Sequence, residues 1–289
     1  MYFDEDLLLD IRLNTLDKFV KKFIISEATY THNGDKKKLN FNINNFSKFK
    51  DKINYIIIDN QPQNILKLID DESKHARGEK LILNGMARDY FQRENLIKGL
   101  KEVSDDDLIL VSDLDEIPNL ETVDFSKINN EILIFEQKIF YYKLNLYYGD
   151  YSWHGTKATK SKNFISPQWL RNIKGKNYPI WRLDVLFSDK KYSNIIFIEN
   201  GGWHFSNMKT ADDIEKKMRT YLHHREYDIK PLGTEKIKEI IKNKKSIYNL
   251  RADMKADKID GTQDLKLTDG NELPEFIKKN KEKYSNWIE

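Results

Sequence analysis

The chain has no cysteine among its 289 residues, which excludes a disulfide scaffold and any thiolate metal site. No apolar run approaches the length of a transmembrane helix, and the N-terminus lacks the basic-then-apolar plan of a signal peptide. Leu7–Leu9 is too short for either purpose and is fenced by acids. These absences point to a reducing, cytoplasmic setting. A net charge of +3 is too small to argue for a nucleic-acid partner, so Lys36, Lys37 and Lys38 read as solvated surface. There is no Gly-x-Gly-x-x-Gly, no Walker loop, no Gly-x-Ser-x-Gly elbow and no His-Glu-x-x-His. His223 and His224 are adjacent, so on a helix they point ~100° apart and cannot grip one metal together; they read as exposed polar residues. Internal repeats and low-complexity linkers are also missing.

What is present describes a soluble globular protein, 39% hydrophobic and 33% charged, long enough for one large or two small domains. Asp6 is placed to cap a helix running to about Phe19, with Leu7, Leu8, Ile11 and Leu16 as its apolar stripe. Phe23–Ser26 and Tyr55–Ile58 read as strands, joined by a polar loop over Thr31–Lys52. Helical spacing follows over Asn84–Lys101, with Arg88, Arg93 and Glu94 on its polar face. Alternation of strand and helix predicts a mostly parallel α/β sheet flanked by helices. The second half brings an aromatic-rich strand pattern over Ile132–Leu144, another strand at Ile195–Ile198, and helices from Ala211 onward. We divide the chain into a main domain over residues 1–232 and a helical C-terminal extension over 233–289.

Two stretches carry chemistry. Leu108–Val111 is an unbroken apolar run that suits a parallel strand covered on both faces, and Ser112-Asp113-Leu114-Asp115-Glu116-Ile117-Pro118 follows it directly. The carboxyl end of such a strand is where open α/β sheets place ligands. On extended backbone Asp113 and Asp115 project to one side and can share a hard divalent cation, Mg²⁺ or Mn²⁺, that leaves room for water and phosphate. A strand-to-turn junction that takes Asp and Pro for local hydrogen-bonding reasons is the plainer alternative. In the second stretch, Gly201-Gly202-Trp203-His204-Phe205, the glycines allow an unusual backbone path or close approach of a ligand. Trp203 can stack on a sugar or base, or be core, and His204 can meet a metal or phosphate.

In order along the chain, the segments Tyr2–Asn14, Lys22–Ala28, Arg93-Glu94-Asn95, Val111–Pro118 and Gly201–Ser206 resemble glycosyltransferase family 17, the family of β-1,4-mannosyl-glycoprotein 4-β-N-acetylglucosaminyltransferase. The resemblance implies a GT-A-like nucleotide-sugar-binding fold and a metal-dependent, inverting transfer of a sugar, GlcNAc, from UDP-GlcNAc to a glycan acceptor hydroxyl. It implies Mn²⁺ or Mg²⁺ held by Asp113, Asp115 and His204. The donor would be bound by Phe3, Asp4, Glu5, Arg88, Arg93, Asp113 and Trp203. For the general base the sequence offers Glu199 and Asp184, with Glu116 and Asp150 behind them. Other members carry several residues ahead of the Phe3-Asp4-Glu5 segment, so a shortened edge to the nucleotide pocket is expected. The animal members also have a membrane anchor and cysteines that this chain lacks, which sets a bacterial- or viral-type surface glycan beside a protein N-glycan as acceptor. Two competing readings are a non-catalytic glycan-binding protein of the same fold and a phosphatase with an Asp nucleophile.

Overall fold

The computed structural model describes residues 1–222, 224–250, 259 and 261–289, apart from the side chains of Asp150 and Glu226. His223 and the Asp150 carboxylate therefore lie outside the described residues. The first helix, α1 (Asp6–Leu16), buries Leu8, Leu9, Ile11, Leu13 and Leu16, so it is a core helix rather than a surface one. Asp6 is its first helical residue and accepts a hydrogen bond from the Tyr2 hydroxyl; the capping position belongs to Glu5. Strands β1 (Phe23–Ala28) and β2 (Ile53–Ile58) pair in parallel, Phe23 opposite Ile53 and Ala28 opposite Ile58. The segment between them, expected to be polar loop, ends in a 3-10 stretch, Ile43–Lys52, that buries Phe46 and Phe49.

Helix α2 (Lys74–Glu94) begins ten residues earlier than its apolar spacing suggested, where the Ser73 hydroxyl accepts from the Ala76 amide. The apolar positions misled because its buried face is polar. Asn84, Arg88, Asp89, Gln92 and Arg93 are buried, while Leu83 and Tyr90 are exposed.

The central sheet is mixed, correcting the mostly parallel expectation. Strands β3 (Leu108–Val111), β4 (Glu116–Pro118), β5 (Ile132–Tyr141), β6 (Leu146–Lys160) and β7 (Ile195–Ser206) lie in the order β3-β6-β5-β7-β4. Among the described strands of this sheet only β5 and β7 run parallel; β3 pairs with β6, β5 with β6, and β4 with β7 in antiparallel fashion. An apolar run does not report strand direction, and β3 is buried on one face only, through Ile109 and Val111, with Leu108 and Leu110 half-buried. The long β5–β6 hairpin supplied an antiparallel neighbour.

The remaining elements frame this sheet. Two short helices, α3 (Pro167–Asn172) and α4 (Leu183–Leu186), precede β7, and α5 (Ala211–Thr220), α6 (His224–Ile229) and α7 (Thr234–Lys242) follow it. Beyond residue 233 the chain is not only helical: β8 (Lys266–Leu267) joins the sheet at β6 before α8 (Glu275–Lys279) packs on α1. Among the described residues no helix is long and apolar enough to cross a membrane.

Among the described residues β1 and β3 each pair with one strand, and residues of both line a cavity of about 590 Å³. Ile24 and Ile25 line it from one side, Leu108 and Leu110 from the other, and Met1 sits at its end.

The paired glycines serve β4. Gly202 has a φ of +133°, and a Cβ there would stand 2.2 Å from the Ile117 carbonyl oxygen and 2.8 Å from the Pro118 Cα. They allow close approach of backbone rather than of a ligand. Gly202→Ala should therefore cost on the order of 3 kcal/mol or more, combining a disfavoured φ with a clash against backbone that cannot rotate away. A thermal melt indistinguishable from wild type would show that the β4–β7 contact is looser than this.

Candidate active site

Pairing of β4 with β7 puts Glu116 opposite His204 and Ile117 opposite Trp203, so it joins the two sequence stretches that carry chemistry. The chain turns between β3 and β4, the Glu116 amide donating to the Asp113 carbonyl at 3.2 Å. This turn projects Asp113 and Asp115 into a cleft of about 760 Å³. Phe3, Glu5, Arg93, Trp153, Arg171 and His204 also line it.

Glu116 is the anchor beneath the cleft. It is 1% exposed, and its carboxylate accepts from the Asp113 amide at 3.0 Å, from Trp153 Nε1 at 2.6 Å and from both terminal nitrogens of Arg171 at 2.7 Å. Gly155 makes the room: a Cβ there would lie 2.6 Å from the Glu116 carboxyl carbon and 2.3 Å from Gln137 Oε1. Arg12, from α1, donates to the Glu116 carbonyl at 2.6 Å and to the Ser112 hydroxyl at 2.5 Å, fixing the turn from behind. Two carbonyls at the end of α3, those of Arg171 and Ile173, accept from buried Lys157.

The two acids of the Asp-x-Asp pair differ in their partners. Asp113 meets Arg171 at 2.8 Å and Arg93 at 3.3 Å, one arginine on each carboxylate oxygen. Burial alone would raise its pKa, but the two guanidinium groups outweigh burial and hold it well below the usual carboxylate range. Arg93 is itself steadied by Asp89 at 2.8 Å and by Gln168 at 2.7 Å. Asp115 faces His204, with Oδ2 and Nε2 3.6 Å apart. Burial pushes against both charges, yet each favours the other, so Asp115 titrates low and His204 titrates high. The Trp153 ring lies over His204 with centroids 4.9 Å apart.

For a divalent cation the fit is to two residues rather than three. Asp115 Oδ2 and His204 Nε2 present an oxygen and a nitrogen across a short gap. Asp113 is already committed to its arginines. Among the described residues no group of three or more His, Asp or Glu is placed to hold a metal. A hard cation that takes the rest of its shell from phosphate and water matches such a pair.

Of the donor-binding residues read from the sequence, the fold brings Phe3, Glu5, Arg93 and Asp113 to the cleft. The other three lie elsewhere. Asp4 forms an ion pair with Lys209, and Arg88 donates to Gln61 at 2.8 Å and to the His32 carbonyl at 3.0 Å. Trp203 turns to the opposite face of β7 from His204, packs in the core and donates Nε1–H to the Glu272 carbonyl at 2.6 Å. Neither candidate base lines the cleft: Glu199 is exposed on β7, and Asp184 is tied to Arg182 and Lys191 on the surface. Glu116 is committed to Arg171 and Trp153. His224, expected at the surface, is buried and meets the Tyr221 carbonyl through Nδ1 at 2.9 Å.

Arg171 and Trp153 escaped the sequence reading, since neither belongs to a recognisable motif. The only signal for Arg171 is the Ser166-Pro167 start of a short helix, where the Ser166 hydroxyl accepts from the Trp169 amide.

The mixed α/β sheet thus carries a cleft that joins an arginine-braced Asp-x-Asp turn to a Gly-Gly-Trp-His strand. The model of glycosyltransferase family 17 matches residues 1–288. The chain belongs to that family and is a glycosyltransferase by descent. No curated protein and no solved structure matches it.

Proposed function

We propose that the chain is a metal-dependent, inverting transferase of the GT-A type that moves GlcNAc from UDP-GlcNAc to a glycan hydroxyl. The observation that carries this reading is the division of labour in the Asp-x-Asp turn. Asp113 is locked to Arg93 and Arg171, while Asp115 and His204 face the cleft together. Asp115 and His204 would hold Mn²⁺ or Mg²⁺, which when bound supplies charge neutralisation to the departing diphosphate. Phe3 offers a ring to the nucleotide from the cleft wall, with Lys37 Nζ 5.3 Å from its centroid. Arg93 and Arg171 keep the turn rigid, so the carboxylate positions are set before the donor arrives.

Transfer with inversion also draws a proton from the acceptor hydroxyl. The described carboxylates that line the cleft are Glu5, Asp89, Asp113 and Asp115. Asp89 and Asp113 are paired with arginine and Asp115 faces histidine; among the described residues Glu5 accepts from the Phe3 and Asp4 amides, with Lys209 3.9 Å away. Glu5 is therefore the base we assign. A phosphatase reading would need the first acid of the pair free to attack phosphorus, and Asp113 has an arginine on each oxygen.

Calorimetric titration with UDP, run with and without Mn²⁺, tests the donor site. Metal-dependent binding is expected. Absence of binding under both conditions would overturn the reading and favour a glycan-binding protein that has lost turnover.

A further inference from the structure

Residues 174–194 start three residues after Arg171 and return to β7 as a strap whose foot packs Tyr192 against the core and whose tip joins no core cluster of the described residues. Its foot is fixed: the Lys174 amide donates to the Lys190 carbonyl at 2.8 Å and the Tyr178 amide to the Tyr192 carbonyl at 3.0 Å. Asn177 clamps Ile195 in both directions, at 2.7 and 2.9 Å. The tip is the opposite of a solvated loop. Trp181 is 79% exposed, Phe187 90%, and Ile180, Leu183 and Leu186 are each at least two-thirds exposed. Single exposed apolar side chains need no explanation, but five within eight residues form a patch that water does not favour.

Charge beneath the tip indicates what covers it. Lys174, Lys176, Arg182, Lys190 and Lys191 stand against only Asp184 and Asp189. Asp184 is shared by Arg182 at 2.8 Å and Lys191 at 2.6 Å, so one carboxylate serves two cations. Around Tyr178, the cationic groups of Lys176, Arg182 and Lys191 all lie within 5.8 Å of the ring centroid. A cationic foot with a Trp- and Phe-bearing apolar tip matches the two layers of an anionic bilayer surface, headgroup phosphate outside and acyl boundary within. A second copy of the chain would cover the apolar tip but would set like charges of the two feet against each other.

We propose that this strap docks the protein peripherally on an anionic membrane surface, with Trp181 and Phe187 inserted and the lysines at the phosphates. The inference does not rest on the proposed donor or metal. Because the strap continues from α3, whose Arg171 and Asn172 line the cleft, docking would hold the cleft near the headgroups.

The test is cosedimentation of the full chain with phosphatidylcholine vesicles containing or lacking phosphatidylglycerol. Binding to the anionic vesicles alone is expected, weakening several-fold as salt masks the lysines. Trp181→Ser/Phe187→Ser should lower partition by about tenfold or more. Lys174→Glu/Lys190→Glu should lower it as well, and neither change should alter the thermal melt, since all four side chains are exposed. Failure of the wild type to bind anionic vesicles would overturn the proposal, as would equal binding by the Trp181/Phe187 variant. A concentration-dependent dimer that this variant abolishes would overturn it in favour of self-association.

Discussion

Arg171→Ala should unfold this protein at a markedly lower temperature and at the same time weaken its donor site. The arginine joins α3 to the acid-bearing turn through Glu116, Asp113 and the Gly155 carbonyl, the last at 2.5 Å. A buried ion pair is weak evidence of stability when whole, because burying the charges costs nearly what their attraction returns. Removing one partner is different. Glu116 would remain 1% exposed, with its carboxylate reduced to Trp153 and one backbone amide. Leaving a buried charge unpaired costs about 3–5 kcal/mol. In a domain of this size that corresponds to a melting temperature lower by on the order of 10 °C. Arg171→Lys should fall between the two, since a point charge on a flexible stem can meet one carboxylate but not two at fixed angles. Differential scanning calorimetry of the three proteins, paired with UDP titration, reads both effects. A melt for Arg171→Ala within a degree of wild type would remove Glu116 as the anchor of the site.

Some of this site is legible in the amino-acid order and some is not, and the boundary has a physical cause. The apolar run Leu108–Val111 and the carboxylates after it are local signals, and both lie where the sequence puts them, at a strand end facing a cleft. Residues Gly201–Phe205 read as the cap of a strand that closes at Ile198; in the fold they are that strand's continuation, paired with β4. A glycine pair ordinarily weakens a strand, and here it is tolerated because β4 crosses too closely for any Cβ. Strand β6 left almost no signal. Gly149, Gly155, Thr156 and Lys157 interrupt its apolar pattern, yet Gly155 and Lys157 are there to admit Glu116 and to hold the end of α3. The long-range partners of Asp113 illustrate the limit best. Arg93 and Arg171 lie on separate helices and reach it only through tertiary folding.

Asp115→Ala, by contrast, should leave the fold almost untouched and remove activity. Among the described residues its carboxylate pairs most closely with His204, at 3.6 Å, across a partly open cleft, with the Lys217 charge also acting on it. Burial already opposes its charge, so deleting it relieves a desolvation cost while giving up the attractions of His204 and Lys217. The net change in stability should be about 1 kcal/mol or less. The hydrogen bond that ties this position to β7 runs from the Phe205 amide to the Asp115 carbonyl at 2.9 Å, and alanine retains it. Metal-dependent UDP binding should disappear, and transfer should fall by roughly three orders of magnitude, the usual effect of removing a group that places charge at a departing oxyanion. Asp113→Ala should behave otherwise. It removes the carboxylate that Arg93 and Arg171 share, leaving one to Asp89 and the other to Glu116 with the turn unbraced, so the melting temperature and the activity should fall together. On the proposed function, one motif divides into a structural acid and a functional one. Thermal melts and UDP titrations on the two variants side by side decide the matter. Equal melts for both, or unchanged metal-dependent affinity in Asp115→Ala, would mean that the cation is held elsewhere and that the arginine brace on Asp113 is not what fixes the turn.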